Sequence, residues 1–126
     1  MILLDTQVVL WTLRDSRRLG TRARDLMQRA ECFVSSITLV EFRIKEMKGK
    51  LHLPPDLRSH IQAQNFRHLA FDVDHADALP SFPELSGHDP FDRMLVSQAQ
   101  ATRLDFLTAD RTLLTLDQPW IIDATA

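Results

Sequence analysis

The apolar positions of the chain fall into short runs that alternate with stripes at helical spacing. Ile2, Leu3 and Leu4 form a run that ends at Asp5, and Val8, Val9, Leu10, Trp11 and Leu13 then follow a near-helical period, so the opening reads as strand, turn, helix. A second helix is predicted over residues 21–30, after the turn chemistry of Leu19-Gly20-Thr21 and with Thr21 as its N-cap. Residues 32–34 read as a strand. Ser35 or Ser36 then starts a helix whose apolar positions Ile37, Val40, Ile44 and Met47 make one stripe before Gly49 ends it.

Pro54-Pro55-Asp56 opens a helix running to about Gln64, because proline suits a first helical turn. Residues 66–73 suit a strand, and a short helix is expected over 74–79. Residues 80–90 hold three prolines and a glycine, which marks an irregular surface loop. A helix over 91–103, a strand over 104–108, a short helix over 110–116 and a last strand over 120–122 complete the pattern. No internal repeat or low-complexity linker interrupts it. Strands alternating with helices imply a parallel sheet, since parallel neighbours need a crossover and crossovers are usually helical. The expected fold is therefore α/β, a three-layer α/β/α sandwich with a central, mostly parallel sheet, formed as one domain over residues 1–126. In such sheets ligands gather outside the carboxyl ends of the strands.

Length and composition fit one core: the chain has 126 residues, 44% of them hydrophobic and 25% charged, the balance of a globular protein rather than a disordered one. Cys32 is the only cysteine, so there is no pair to bridge and no thiol cluster for a metal, and it reads as a small core residue. The opening segment is apolar for only a few residues and carries Asp5, which is neither a secretory leader nor a membrane span; the expected location is the cytoplasm, with no membrane partner. A net charge of -2 conceals a division. Residues 1–60 hold 11 Lys or Arg against 7 Asp or Glu, and residues 61–126 hold 4 against 10, giving +4 and -6. Folded together, the halves can set a basic rim beside an acidic pocket, or simply decorate two solvated faces.

Four acids stand where chemistry is expected. Asp5 and Asp110 each follow an apolar strand at its carboxyl end, where an Asp also serves as an ordinary helix cap. Glu41 lies four residues after Ile37 and three before Ile44, on the apolar row of its helix; a lone carboxylate there must neutralise, pair with a cation or lie at the rim. Asp92 opens its helix in line with Leu95, Val96 and Ala99 and so points inward, although the helix dipole favours an acid in a first turn whatever its function. Asp89 precedes Pro90 and belongs to the loop or cap. Carboxylates converging in one cleft repel one another unless a cation sits among them, and hard ions such as Mg2+ or Mn2+ take oxygen ligands. Such a site can activate water and neutralise a phosphodiester, which makes phosphodiester hydrolysis the natural reaction.

The strings LLDTQVVLW, SSITLVEF, HDPFDRMLVSQA and LTAD resemble, in that order, the four acidic motifs of PIN-domain ribonucleases, and look most like those of VapC-type toxins of type II toxin-antitoxin modules. The resemblance spans residues 2–122, and DPFDR followed by an apolar helix is its most specific part. It implies an endoribonuclease dependent on Mg2+ or Mn2+, a homodimer, and a cognate antitoxin covering the acidic pocket. It assigns Asp5, Glu41, Asp92 and Asp110 as metal ligands or as orienters of the attacking water. Thr6 would hydrogen-bond a ligand carboxylate, and Gln7 stands where relatives often have His.

Arg17, Arg18, Arg22, Lys45 and Lys48 are expected to guide RNA towards the pocket, and Arg93 either reaches a phosphate or pairs with an acid. His88 reads as a polar contact in a surface loop, with a general-acid role as the sharper alternative. Trp11 and Trp120 read as core packing rather than base stacking. Two other classes compete: a catalytically inactive PIN-like module binding RNA or protein, against which all four acids count, and a phosphoryl-transfer domain with an aspartyl nucleophile. The latter needs a lysine near the later strand ends, and none follows Lys50.

Overall fold

The computed structural model describes residues 1–126. Five strands form one sheet: β1 (Ile2–Leu4), β2 (Cys32–Ser35), β3 (Arg67–Leu69), β4 (Asp105–Thr108) and β5 (Ile121–Asp123). Their order is β3-β2-β1-β4-β5, and all four pairings are parallel. The chain leaves β1 towards β2 and β3, then crosses back to place β4 on the other side of β1. This reversal makes the carboxyl end of β1 a topological switch point, the place where open α/β sheets leave a crevice. Register sets Leu4 beside Leu107 and Leu3 beside both Phe33 and Phe106, so the strand ends that carry Asp5, Ser35 and Thr108 stand together.

Alternation along the strands builds two apolar layers. Ile2, Leu4, Val34 and Leu107 face a cluster formed with Val8 and Val9 of α1 (Thr6–Leu13), Ala23 of α2 (Thr21–Arg29), Phe42 of α3 (Ser36–Met47) and Leu57 and Ile61 of α4 (Leu57–Ala63). Leu3 and Phe106 face the opposite cluster, with Leu95, Val96 and Ala99 of α6 (Pro90–Thr102) and Leu113 of α7 (Arg111–Leu114). Helices on both faces of the parallel sheet give the three-layer sandwich that the alternation implied. Each fully buried leucine in these layers stabilises the fold by about 1.5–3 kcal/mol relative to exposure.

The helix boundaries follow local chemistry. Helix α6 starts at Pro90 behind the Asp89 cap and ends where Arg103 turns left-handed at φ 58° and its N–H donates to Ala99 and Gln100. The predicted strand over 66–73 contracts to Arg67–Leu69, because Asp72 forms a capping box with His75 and starts α5 (Val73–Asp77) at once. The proline-rich stretch contains two single 3-10 turns, Leu79–Ser81 and Pro83–Leu85; Phe82 between them and Leu85 in the second plug the core.

Two sequence expectations are corrected. Thr21 is not the N-cap of α2: Gly20 occupies that position, with no side-chain bond. The carbonyl of Ala126 instead accepts from the Ala23 amide, and any Cβ at Gly20 would run into the Ala126 backbone, so close approach of the terminal segment explains the glycine. The stripe drawn through Ile37, Val40, Ile44 and Met47 is not the inner row of α3 either. Val40 and Met47 are 45% and 86% exposed, whereas Thr38, Glu41 and Phe42 are buried. The helix is rotated so that a hydroxyl and a carboxylate face inward, because its inner side meets a polar cleft as well as the core.

Candidate active site

The loops after β1, β2 and β4 meet at the switch point, in a cleft of about 740 Å3 whose lining includes Asp5, Glu41, Asp92 and Asp110. The four acids come from separate elements: the end of β1, the inner face of α3, the first turn of α6, and the turn between β4 and α7. The structure thus brings together all four residues singled out in the sequence.

Asp5 is held by both of its oxygens. Oδ1 accepts the Thr6 amide at 2.8 Å as the cap of α1, and Oδ2 accepts the Thr108 hydroxyl at 2.5 Å. Burial nevertheless pushes its pKa up to about 6; the bonds from Thr108 and Thr6 oppose the shift, and the charges of Glu41 and Asp110 add to it. Asp110 divides its work. Its Oδ1 caps α7 by accepting the Leu113 amide at 3.1 Å, which leaves Oδ2 facing the cleft. Capping and presentation of an oxygen to the cleft therefore coexist in Asp110, whereas Asp5 caps α1 with both oxygens hydrogen-bonded.

Glu41 is 6% exposed, and its two oxygens differ. Oε2 pairs with Lys45 Nζ at 2.7 Å one helical turn on, while Oε1 is buried with no hydrogen-bond partner. Asp92 is pushed up to about 8, first by burial and then by the charges of Asp5, Asp89, Asp110 and Glu41. Asp5 and Asp92, whose proton affinity the neighbouring carboxylates raise, and one orphaned buried oxygen on Glu41 fit a cation among the acids: a positive ion offsets the repulsion and gives Oε1 a partner.

Several side chains depart from their expected places. The Thr6 hydroxyl does not reach a carboxylate; it pairs with Thr38 Oγ1 at 3.0 Å, because Thr6 lies on the face of α1 turned to α3. The hydroxyl that holds a site carboxylate is that of Thr108, which also accepts the Asp110 amide at 3.0 Å and so ties two of the acids into one unit. His88 is not a free loop residue. Its Nε2 lies 3.1 Å from Asp92 Oδ2 and 3.4 Å from Asp110 Oδ2. Its i, i+4 spacing to Asp92 was the available signal, hidden because the proline-rich stretch read as loop.

Of the basic residues assigned to RNA guidance, Arg18 and Lys45 line the cleft; Arg17, Arg22 and Lys48 do not, and Lys50 and Arg111 take places there that the sequence did not single out. Arg93 turns away to the Ser86 carbonyl at 3.5 Å. Asp89 caps α6 through bonds from the Phe91 and Asp92 amides at 2.9 and 3.2 Å. Trp11 is 8% exposed and Cys32 4%, both in the core, and burial pushes the Cys32 thiol up to about 11. Trp120 packs at the edge of the second cluster, 6.0 Å from Phe82 between ring centres. No helix is long and apolar enough to cross a membrane.

Residues 2–118 match the PIN domain. The chain belongs to the PIN domain family. No curated protein sequence matches it. Among solved structures this PIN domain is similar to a chain of VapBC2 from Rickettsia felis bound to a DNA fragment from its promoter, with 16% identity, coverage of 98% of this chain and 97% of that one, and a TM-score of 0.65. A toxin-antitoxin complex from Klebsiella pneumoniae gives 17% identity, 97% and 96% coverage and the same TM-score, 0.65. FitAcB from Neisseria gonorrhoeae gives 24% identity, 87% and 88% coverage and 0.57. At these identities the likeness shows a shared fold over nearly the full length of both chains.

Proposed function

We propose that this PIN domain is an endoribonuclease dependent on a divalent metal, Mg2+ or Mn2+, and the toxin of a toxin-antitoxin pair. The observation that carries the reading is the convergence of Asp5, Glu41, Asp92 and Asp110 in one cleft at the switch point, with the buried Oε1 of Glu41 left without a partner. The structural neighbours, which are VapBC, FitAcB and toxin-antitoxin complexes, favour an antitoxin as the protein partner. A homodimer, RNA rather than DNA as substrate, and action in the cytoplasm follow from the same family reading.

Asp5, Glu41, Asp92 and Asp110 would hold the ion, which when bound would supply charge neutralisation for a phosphodiester and lower the pKa of water for attack. The protein's own contribution is placement. Thr108 and the Thr6 amide fix the Asp5 carboxylate, and the α7 cap fixes Asp110, so two acids are oriented before substrate arrives. Lys45 holds Glu41 towards the cleft. Arg18, Lys50 and Arg111 line the same cleft, where cationic groups neutralise the flanking phosphates of a single strand and steer it towards the acids.

The test is RNA cleavage by purified protein in Mg2+ or Mn2+, in excess chelator, and with Asp5→Asn. Cleavage is expected with metal alone and in neither other condition. Undiminished cleavage by the variant in chelator contradicts the reading. The toxin role is tested by expression in a bacterial host: growth arrest relieved by the protein encoded beside the gene is expected, and harmless expression of active enzyme refutes it.

A further inference from the structure

The loop that precedes α6 brings a nitrogen atom into a group of oxygens. His88 Nε2, Asp92 Oδ2 and Asp110 Oδ2 all lie within 4.8 Å of one another. The backbone that carries the ring is held on both sides: the His88 amide donates to the Leu85 carbonyl at 2.9 Å, Leu85 is buried in the second cluster, and Asp89, the next residue, is locked as the cap of α6. The turn thus holds His88 beside Asp92 and Asp110, two residues of the cleft lining, with 21% of its side chain exposed.

The spacing matches a shared ion. Two donors each about 2.1 Å from one ion and at right angles to it stand about 3 Å apart, and His88 Nε2 is 3.1 Å from Asp92 Oδ2 and 3.4 Å from Asp110 Oδ2. A second observation points to the same cleft: Glu41, nine-tenths buried in its lining, keeps Oε1 without a donor from the chain. The other histidine near a carboxylate, His75, is turned to the amide of Asp72 and to Gln98 and offers nothing here.

An imidazole among the donors changes which ion is favoured. Mg2+ is bound by oxygen and keeps its waters, whereas nitrogen donors gain affinity along the first-row transition series. We propose that His88 is a direct ligand, forming with Asp92 and Asp110 a mixed nitrogen and oxygen site that takes a first-row transition-metal dication in preference to Mg2+. The inference rests on the reading of the acidic cleft as a cation site and adds to it a donor and a class of ion.

Metal binding without RNA tests it. Mn2+ is titrated into purified protein and followed by electron paramagnetic resonance, with pulsed measurement of nitrogen coupling and with Mg2+ as competitor. The wild type should bind Mn2+ with coupling to an imidazole nitrogen that changes character when the histidines carry nitrogen-15, a result that needs no variant. His88→Gln keeps a hydrogen-bond donor for Asp92 but lacks the ring; it should lose the coupling, bind Mn2+ about tenfold or more weakly, and be displaced by correspondingly less Mg2+. If Mn2+ binds the wild type without nitrogen coupling and His88→Gln binds it equally well, His88 is only a hydrogen-bond partner of Asp92; the proposal falls and the cation site stands. If neither ion binds the wild type, both readings fall together.

Discussion

Thr108 donates its hydroxyl to Asp5 at 2.5 Å across the whole length of the chain, from the end of β4 to the end of β1. The bond joins the two strands that flank the switch point and favours the ionised form of a carboxyl group that burial would keep protonated. Thr108→Val should therefore raise the Asp5 pKa above about 6 and shift the onset of cation binding to higher pH. A hydrogen bond to a charged group contributes about 1.5–3 kcal/mol, so affinity near neutrality should fall by about tenfold or more. Thr108→Ser should keep the wild-type profile. Calorimetric titration of Mn2+ across pH checks both variants, and an unshifted Thr108→Val profile contradicts the role.

The same raised acids set the pH dependence of the metal-free protein. Asp5 titrates at about 6 and Asp92 at about 8, against 3.8 for an ordinary aspartate, so the folded state binds protons more tightly than the unfolded chain. Their contribution to stability is full below the unfolded value, is lost as pH rises through the folded values, and changes no further above them. In chelator the melting temperature should fall between about pH 5 and about pH 8, once other groups are accounted for by comparison with Asp92→Asn, whose curve should be flatter and higher at the alkaline end. Added Mn2+ should raise the melting temperature more at the alkaline end. A wild-type curve that rises with pH by as much as that of Asp92→Asn counts against mutual repulsion in the cleft.

Lys45 has two opposed effects that one substitution separates. It neutralises Glu41 at 2.7 Å and adds positive charge to the cleft lining. Lys45→Gln should tighten Mn2+ binding, because a competing cation is gone, and should weaken RNA binding with a flatter salt dependence, because fewer counterions are released. Parallel titrations of Mn2+ and of a short RNA read both. Loss of affinity for both ligands would mean that Lys45 chiefly supports the local fold.

The sheet and its parallel sense are legible in the sequence, because short apolar runs and helical stripes alternate, and the four acids stand out because Asp5 and Asp110 follow strands, Asp92 opens a helix and Glu41 interrupts an apolar row within one. Less was legible where contacts are long in sequence. Nothing local pairs Thr108 with Asp5 or places Ala126 against Gly20. The rotation of α3 was missed because Val40 and Met47 are apolar yet exposed, while Thr38 and Glu41 are polar yet buried: hydrophobicity marks a core face, and this face borders a polar cleft. His88 is hidden for a similar reason, since proline-rich sequence conceals the turns that brace it.

We assign Asp92 to the reacting machinery and Asp89, although it lines the same cleft, to the capping of α6. Asp92 points to His88 and the cleft; Asp89, three residues earlier, accepts two amides of the first turn of α6. RNA cleavage measured side by side for wild type, Asp92→Asn and Asp89→Asn in Mn2+ separates them. Asparagine still caps, so Asp89→Asn should retain most of the activity, and only Asp89→Ala should cost about 1 kcal/mol of stability. Asp92→Asn, folded and with a melting temperature no lower than wild type, should leave no cleavage above background. Cleavage by Asp92→Asn at the wild-type rate, or equal loss in a folded Asp89→Asn, would contradict the assignment.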